Sequence, residues 1–184
     1  MKEKIKNYSV HFVKEIIPVI AGILIALFID NWNSDRKDKN YINQVLTTIK
    51  SELKGSKEDI NTIIPQHQSL IDSLELYSNN KNISIFDILR KSNGINIPQI
   101  KTNAWKSVAS YKIDLIDFDK ITLLSNIEDE KTTLNKKSDF LMSFLYSNIN
   151  AIDKNSKLTL QLILSDILQT EKTMHRRIEQ FETR

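Results

Sequence analysis

The chain has 184 residues, with no cysteine, three glycines and three prolines. The lack of cysteine excludes thiol nucleophiles, disulfides and cysteine-ligated metal sites. Gly22, Gly55 and Gly94 are too far apart to form a glycine-rich phosphate-binding loop. Turn-rich β architectures need far more glycine and proline than this chain contains, so the composition predicts an all-α fold.

The charge of the chain is nearly balanced, with 26 basic and 23 acidic side chains and a net charge of +3. Residues 1–29 hold four lysines and two glutamates, a net of +2, which leaves +1 for residues 30–184. A domain that binds nucleic acid through its phosphates needs a clear basic excess. The sequence therefore predicts no nucleic-acid partner, and the 40% of hydrophobic residues predicts a folded body.

The strongest local signal is an uncharged run of fourteen residues, Ile16–Ile29. Alone it would span about 21 Å of helix, less than the ~30 Å hydrocarbon core of a bilayer. Upstream apolar residues and the interfacial aromatic Trp32 extend the run to residues 10–33, with Lys14 close enough to one end to reach the interface. We predict a basic tail over 1–9, an uncleaved transmembrane anchor over 10–33 and a helical-bundle domain over 34–184. A buried core helix remains the alternative interpretation.

One stripe of the anchor has the spacing of a helix-packing face. Glu15, Pro18, Gly22 and Ala26 follow one another at intervals of three and four residues. The pair Gly22 and Ala26 forms a small-xxx-small pattern, which allows two helices to approach closely. Glu15 either contacts a partner helix or merely marks the end of the hydrophobic run.

The orientation of the anchor is not set by its flanking charges. Four basic residues lie within about twenty residues of each end, so the positive-inside rule does not distinguish the two orientations. A short N-terminal tail before an uncleaved export signal favours a body outside the cytoplasm, and we predict that it is periplasmic.

A long helix is expected from Asp35 to about Tyr77. Apolar residues recur there at alternating steps of four and three, the heptad spacing of a coiled coil. Ser56 and His67 interrupt this seam, and Pro65 predicts a kink or break. The seam indicates that another helix lies alongside, from this chain or another. Its members are Ile42, Leu46, Ile49, Leu53, Ser56, Ile60, Ile63, His67, Leu70 and Leu74.

The sequence after the long helix predicts an antiparallel bundle with one irregular stretch at 78–103. Within and just after that stretch, short helices are expected over Ser84–Lys91 and Thr102–Tyr111, with Trp105 in the core. A longer helix, capped by Asp117 or Asp119, should run to about residue 150, and a final helix from about Ser156 towards the C-terminus. Its seam is Leu160, Leu164, Ile167, Glu171, Met174, Ile178 and Phe181.

No catalytic, metal or cofactor motif stands out, and we predict that the protein is not an enzyme. His11, His67 and His175 are scattered. Glu171, His175 and Glu179 share a helix face, which favours a solvated salt-bridge face over a metal site. His67 on the seam is either a buried pH switch or a hydrogen-bonded core histidine. Acidic groups at 114–119 and 128–130 suggest calcium binding, but the first lacks the glycine and the following ligands of an EF-hand loop, and helix capping explains Asp117 and Asp119 without a metal.

The anchor region contains Glu15, then the run Gly22–Leu27 and then the run Asp30–Asn33. This order resembles the N-terminal signature of a family of short single-pass membrane proteins common in Bacteroidota, a domain of unknown function. The chain departs from the signature at Phe28, at Asp30 and at Ser34. The resemblance implies an anchor, a helical body and the inner membrane of a Gram-negative cell, and it implies no activity.

These observations together predict a membrane-tethered helical interaction or scaffold protein. Its partners would be the lipid bilayer and either a second copy or another protein. Two alternatives remain. The body is an extracytoplasmic sensor or regulatory subunit that binds a small ligand between its helices, or the chain is an accessory subunit of an ion-driven membrane complex in which Glu15 takes up a proton.

Overall fold

The protein is all-α, as its composition predicts. The computed structural model describes residues 2–183, together with the side chains of residues 12 and 14–183, and no strand occurs among them. The expected basic tail and the apolar side chains of Tyr8, Val10 and Val13 lie outside the described side chains. The chain forms two compact units, Met1–Gln44 and Val45–Arg184.

The first helix, α1, is continuous from Lys2 to Leu76 and has 75 residues. Of the kink or break predicted near Pro65, the break does not occur. Pro65 is exposed, so its ring and the carbonyl that loses its N–H partner are on the outer face of the helix. Ile63 and His67 on either side are buried, and this packing offsets the ~3 kcal/mol that a proline costs inside a helix.

The heptad seam predicted for α1 is the face that the structure buries. Leu46 is half-buried, and every other predicted seam residue is buried, Ser56 and His67 included. We call this set the α1 seam. The sequence pattern therefore located the packing face of the longest helix to the residue.

Four further helices complete the chain. They are α2 (Ile85–Lys91), α3 (Asn103–Tyr111), α4 (Phe118–Asn148) and α5 (Lys154–Glu182), and a 3-10 turn at Ile113–Leu115 precedes α4. Trp105 of α3 is buried, as expected. The apolar face of α4 is buried at Leu124, Ile127, Leu134, Leu141 and Leu145. All seven predicted seam residues of α5 are also buried.

Short polar caps set where these helices begin. Ser84 and Asp87 form a reciprocal capping box at the start of α2. Asp117 accepts hydrogen bonds from two backbone N–H groups at the start of α4, and Asp153 accepts one from Ser156. Because Asp153 is the cap, α5 begins two residues before the predicted start at Ser156.

The helices of the second unit pack antiparallel. Lys137 of α4 lies 2.8 Å from Asp166 of α5, and farther along the pair Arg177 lies 3.2 Å from Glu130. These two contacts run in opposite chain directions on the two helices. The C-terminal half of α1 contacts α5 in the same antiparallel sense, beginning with the ion pair between Lys57 and Glu182.

Candidate functional site

The apolar run of α1 is exposed from Ile17 to its end at Ile29. α1 carries one segment long and apolar enough to cross a membrane, and none of that segment is buried by the protein. Phe28 is 72% exposed, and Trp32 just after the run is 61% exposed. Residues of this kind belong to a protein core or to a nonpolar solvent. The alternative interpretation, a core helix of the bundle, disagrees with this exposure.

The predicted packing stripe lies on this exposed segment. Glu15, Pro18, Gly22 and Ala26 are all exposed on α1. A Cβ atom added to Gly22 would meet nothing within 4 Å. The structure thus leaves space for a closely approaching helix at Gly22, the property that a small-xxx-small stripe requires.

The second unit contains a buried histidine and glutamate in direct contact. His67 of α1 and Glu171 of α5 have side chains that are 1% and 0% exposed, and His67 Nδ1 lies 3.1 Å from Glu171 Oε2. Neither His67 Nε2 nor Glu171 Oε1 has a hydrogen-bond partner. A buried polar group without a partner is costly, so each side chain depends on the other. Both residues are polar interruptions of apolar seams in the sequence, but their spacing did not pair them.

The predicted grouping of Glu171, His175 and Glu179 is not a site. Glu171 turns into the core towards His67, whereas Glu179 is about half exposed. His175 Nδ1 lies 3.5 Å from Glu179 Oε2, which is a surface contact of the expected kind. Over the part of the chain that the structure describes, no group of three or more His, Asp or Glu side chains is placed to hold a metal ion.

Three carboxylates of the acidic groups at 114–119 and 128–130 take part in helix capping or ion pairing. Asp117 caps α4, and Glu130 pairs with Arg177. Glu128 lies 2.9 Å from Lys106. Burial alone would raise the pKa of Glu128, but hydrogen bonds from Thr102 and Lys106 and the neighbouring lysine charges bring it below its ordinary value.

Lys157 is a buried cation that was not expected from the sequence. Its side chain is fully buried, and Nζ donates to the carbonyls of Tyr77 and Asn80, at 3.0 and 2.6 Å. These two hydrogen bonds stabilise the turn that ends α1, where a cation also complements the helix dipole. Burial lowers the pKa of Lys157, and the charge of Asp153 partly opposes this. Lys157 lies three residues before Leu160 and so continues the α5 seam. The spacing of the seam in the sequence therefore already indicated that this position is buried.

The irregular stretch contains an extended strap, residues 95–102, which lies along α1. Asn96 contacts Gln66 at one end, and towards the other end the Lys101 N–H donates to Ser56 Oγ at 2.9 Å. The strap covers ten residues of α1, about 15 Å, with five of its own, which is close to a fully extended chain. Its residues alternate between buried and exposed from Pro98 to Thr102. Ser56 interrupts the α1 seam because it holds this strap.

Two carboxylates of α1 hold the same region. Asp59 accepts a hydrogen bond from the Gln99 N–H at 2.6 Å, and Glu52 accepts one from the Ala104 N–H at 3.1 Å. Beside them an open cleft of about 620 Å³ is lined by polar side chains of α1 and of the strap. The lining includes Glu58, Thr62 and Lys101, groups that can bind a small polar ligand.

A smaller apolar depression lies between α4 and α5. It measures about 380 Å³ and is lined by Phe140, Leu162 and Ile163 with Lys136, Lys137 and Asp166 around them. Phe140 is 61% and Leu162 71% exposed. Large exposed apolar side chains with a charged rim are typical of protein-binding surfaces.

Comparison of the chain with protein-family models, with curated proteins and with solved structures finds no match.

Proposed function

We propose that this protein is a single-pass, membrane-tethered helical interaction module. The observation that carries the proposal is the apolar run of α1, of which no residue is buried in the chain. At about 25 cal/mol per Å² of apolar surface, an exposed run of this length is strongly unfavourable in water and favourable in a bilayer. Trp32 then lies at the interface, where its amphipathic ring is stable.

Interaction, rather than catalysis, is the role that the remaining features support. The stripe Glu15, Pro18, Gly22 and Ala26 offers a face for a second transmembrane helix. The depression around Phe140 and Leu162 offers a separate face for a protein partner. The resemblance to the Bacteroidota family and the inner membrane it implies stay predictions, as does a periplasmic body.

The tether is tested by extraction of membranes that contain the full chain. We expect the protein to remain in the pellet after an alkaline carbonate wash and to float with vesicles. Ile23→Lys with Leu27→Lys places two charges in the hydrocarbon and should release it. Phe140→Lys with Leu162→Lys, on the bundle surface, is the matched control and should remain bound. Retention of the first variant would contradict the tether.

The packing stripe is tested by the oligomeric state in detergent. Gly22→Leu should abolish close helix approach and reduce self-association, whereas Leu24→Ile, off the stripe and exposed, should leave it unchanged. Equal association of both variants would remove the stripe from the proposal.

The orientation of the chain in the membrane is tested by a compartment-specific reporter fused after Arg184.

A second candidate function, a sensor, is favoured by the polar cleft beside the strap. A small polar ligand could bind Glu58, Thr62 and Lys101 there. Thermal-shift screening of the full chain with polar metabolites tests it. A hit that Thr62→Val removes supports the sensor, and a screen without a hit counts against it.

A further inference from the structure

A cleft between α1 and α5 has a lining that carries positive charge and no carboxylate. We call it the α1–α5 cleft, and it measures about 510 Å³. Its polar lining consists of Lys172, His175, Arg176 and Gln169 of α5 with Asn61 of α1. The polar cleft beside the strap and the apolar depression between α4 and α5 each include an acidic side chain. Of these three, the α1–α5 cleft is the one whose charge favours an anion.

The spacing of the basic side chains on α5 suits a single anion with several oxygens. His175 and Arg176 follow Lys172 at intervals of three and four residues, so both lie beside it on the helix surface. Side chains at these intervals have Cβ atoms about 5–6 Å apart, which allows them to converge on one phosphate group. A guanidinium can bind two phosphate oxygens in a fork, and an ammonium adds a point charge.

The two permanent cations of the cleft are not neutralised by the protein. Neither Lys172 nor Arg176 forms an ion pair with a residue that the structure describes. Arg176 donates from Nε to the Lys172 carbonyl at 3.4 Å and from Nη2 to Thr173 Oγ1 at 3.3 Å. These contacts hold the guanidinium along α5 and leave its other N–H groups available. The next residue, Arg177, is instead paired with Glu130.

Both helices contribute hydrogen-bond donors to the cleft. The amides of Asn61 on α1 and Gln169 on α5 are exposed and can each donate to an anion. His175 is half-buried, and its Nδ1 lies 3.5 Å from Glu179 Oε2, a carboxylate outside the cleft lining. An anion in the cleft would therefore be held from two helices.

We propose that the α1–α5 cleft binds a phosphate group, carried by a soluble organic phosphate or by the head group of a phospholipid. Lys172 and Arg176 neutralise the phosphate, and Asn61 and Gln169 donate hydrogen bonds to its oxygens from the two helices. The site is separate from the cleft beside the strap, and it does not depend on the proposed tether.

The site is tested by phosphorus NMR titration of the full chain in neutral detergent with inorganic pyrophosphate at constant ionic strength. We expect saturable broadening of the pyrophosphate signal. Arg176→Gln should weaken binding about tenfold, because it removes hydrogen bonds to a charged group. Arg176→Lys keeps the charge without the fork and should bind with intermediate affinity. Lys154→Gln, exposed on the same helix and with the same loss of charge, is the matched control and should bind as the parent does.

A variant of α1 tests whether the anion lies between the two helices. Asn61→Asp adds a carboxylate to the lining without removing a cation, so repulsion should weaken binding strongly. Asn79→Asp, exposed in the turn after α1, makes the same change elsewhere and should not. The substituted side chains are all exposed, and a thermal midpoint measured without pyrophosphate distinguishes lost binding from lost folding.

The source of the phosphate is distinguished by mass spectrometry of the lipids that co-purify with the full chain. More anionic phospholipid on the parent than on Arg176→Gln would support a head group, and equal amounts would support a soluble phosphate. The absence of saturable broadening with the parent would overturn the proposal. Equal affinities of Arg176→Gln and Lys154→Gln, or undiminished binding by Asn61→Asp, would also overturn it.

Discussion

At the scale of single residues, Lys157 shows how one buried cation can secure a helix end. Lys157→Met keeps the length and apolar stem but removes both hydrogen bonds to the carbonyls of Tyr77 and Asn80. We expect the free energy of unfolding to fall by about 2 kcal/mol, since two carbonyls lose their hydrogen bonds to a charged group. Chemical denaturation measures this loss. Lys154→Met, exposed on the same helix, should change stability little, and equal losses would disprove the role of the buried amine.

The cap of α5 predicts a dependence of stability on pH. Backbone hydrogen bonds from Ser156 lower the pKa of Asp153 below its ordinary value. A carboxylate with a lowered folded-state pKa stabilises the fold above its unfolded-state pKa of about 4, and the contribution is lost as the pH falls through the folded-state value. The thermal midpoint should therefore decrease as the pH is lowered from 5 to below 4.

Two substitutions of Asp153 separate the cap from its titration. Asp153→Asn keeps a side-chain acceptor but cannot titrate, so its midpoint should depend less on acid than that of the parent. Asp153→Ala should have a lower midpoint at neutral pH. The pKa of Asp87 is also lowered, by its hydrogen bonds with Ser84. Both Asp153 variants should therefore keep the part of the acid dependence that comes from Asp87. An acid dependence in Asp153→Asn equal to that of the parent would exclude the cap as its source.

Residue-level prediction from sequence succeeded where the signal was local. Asp117 was expected as a cap because cap preference depends on the neighbouring backbone alone. His67 and Glu171 were each placed on a seam, but their pairing depends on the register of two helices 104 positions apart in sequence. No local spacing carries that register, so the contact is visible only in three dimensions.

At the scale of elements, the strap depends on α1 side chains for its backbone hydrogen bonds. Ser56→Ala removes the acceptor of the Lys101 N–H, and we expect a loss of about 1 kcal/mol and roughly fivefold faster amide exchange at Lys101. Hydrogen exchange by NMR measures the effect at one residue. Ser51→Ala, exposed on the same helix, should leave the Lys101 exchange rate unchanged. Unchanged exchange in Ser56→Ala would mean that packing alone holds the strap.

Helices and their faces were predictable from sequence, but the strap was not. Heptad spacing gave the α1 seam, because a helix that buries one face needs apolar residues at that period. Of the kink or break predicted at Pro65, the break was wrong because tertiary packing on both sides of the proline outweighs its local cost. Residues 78–103 were predicted to be irregular, and the strap was missed because the alternation of buried and exposed residues at 98–102, which has the period of an extended chain, is known only from the structure.

At the scale of the whole molecule, the chain combines a segment without internal packing and a well-packed bundle. Residues 17–32 are all exposed, whereas the α5 seam and the α1 seam from Ile49 onwards are buried in the second unit. Under the proposed tether the two parts depend on different solvents for their stability, the first on a nonpolar environment and the second on water.

This separation predicts that the bundle does not need the apolar segment in order to fold. A chain that lacks residues 1–33 loses no buried side chain that the structure describes, since residues 12 and 14–33 include none. We expect it to stay in solution without detergent, to keep the circular dichroism of a helical protein, and to unfold at a midpoint within a few degrees of the full chain in detergent. It should also fail to float with vesicles that retain the full chain.

A markedly lower midpoint would mean that the apolar segment packs on the bundle, and flotation of the shortened chain would place membrane binding in the bundle itself. Either result would require a different explanation for the exposed run of α1. The run needs one, because an apolar helix that neither crosses a bilayer nor packs on a protein surface is unstable in water.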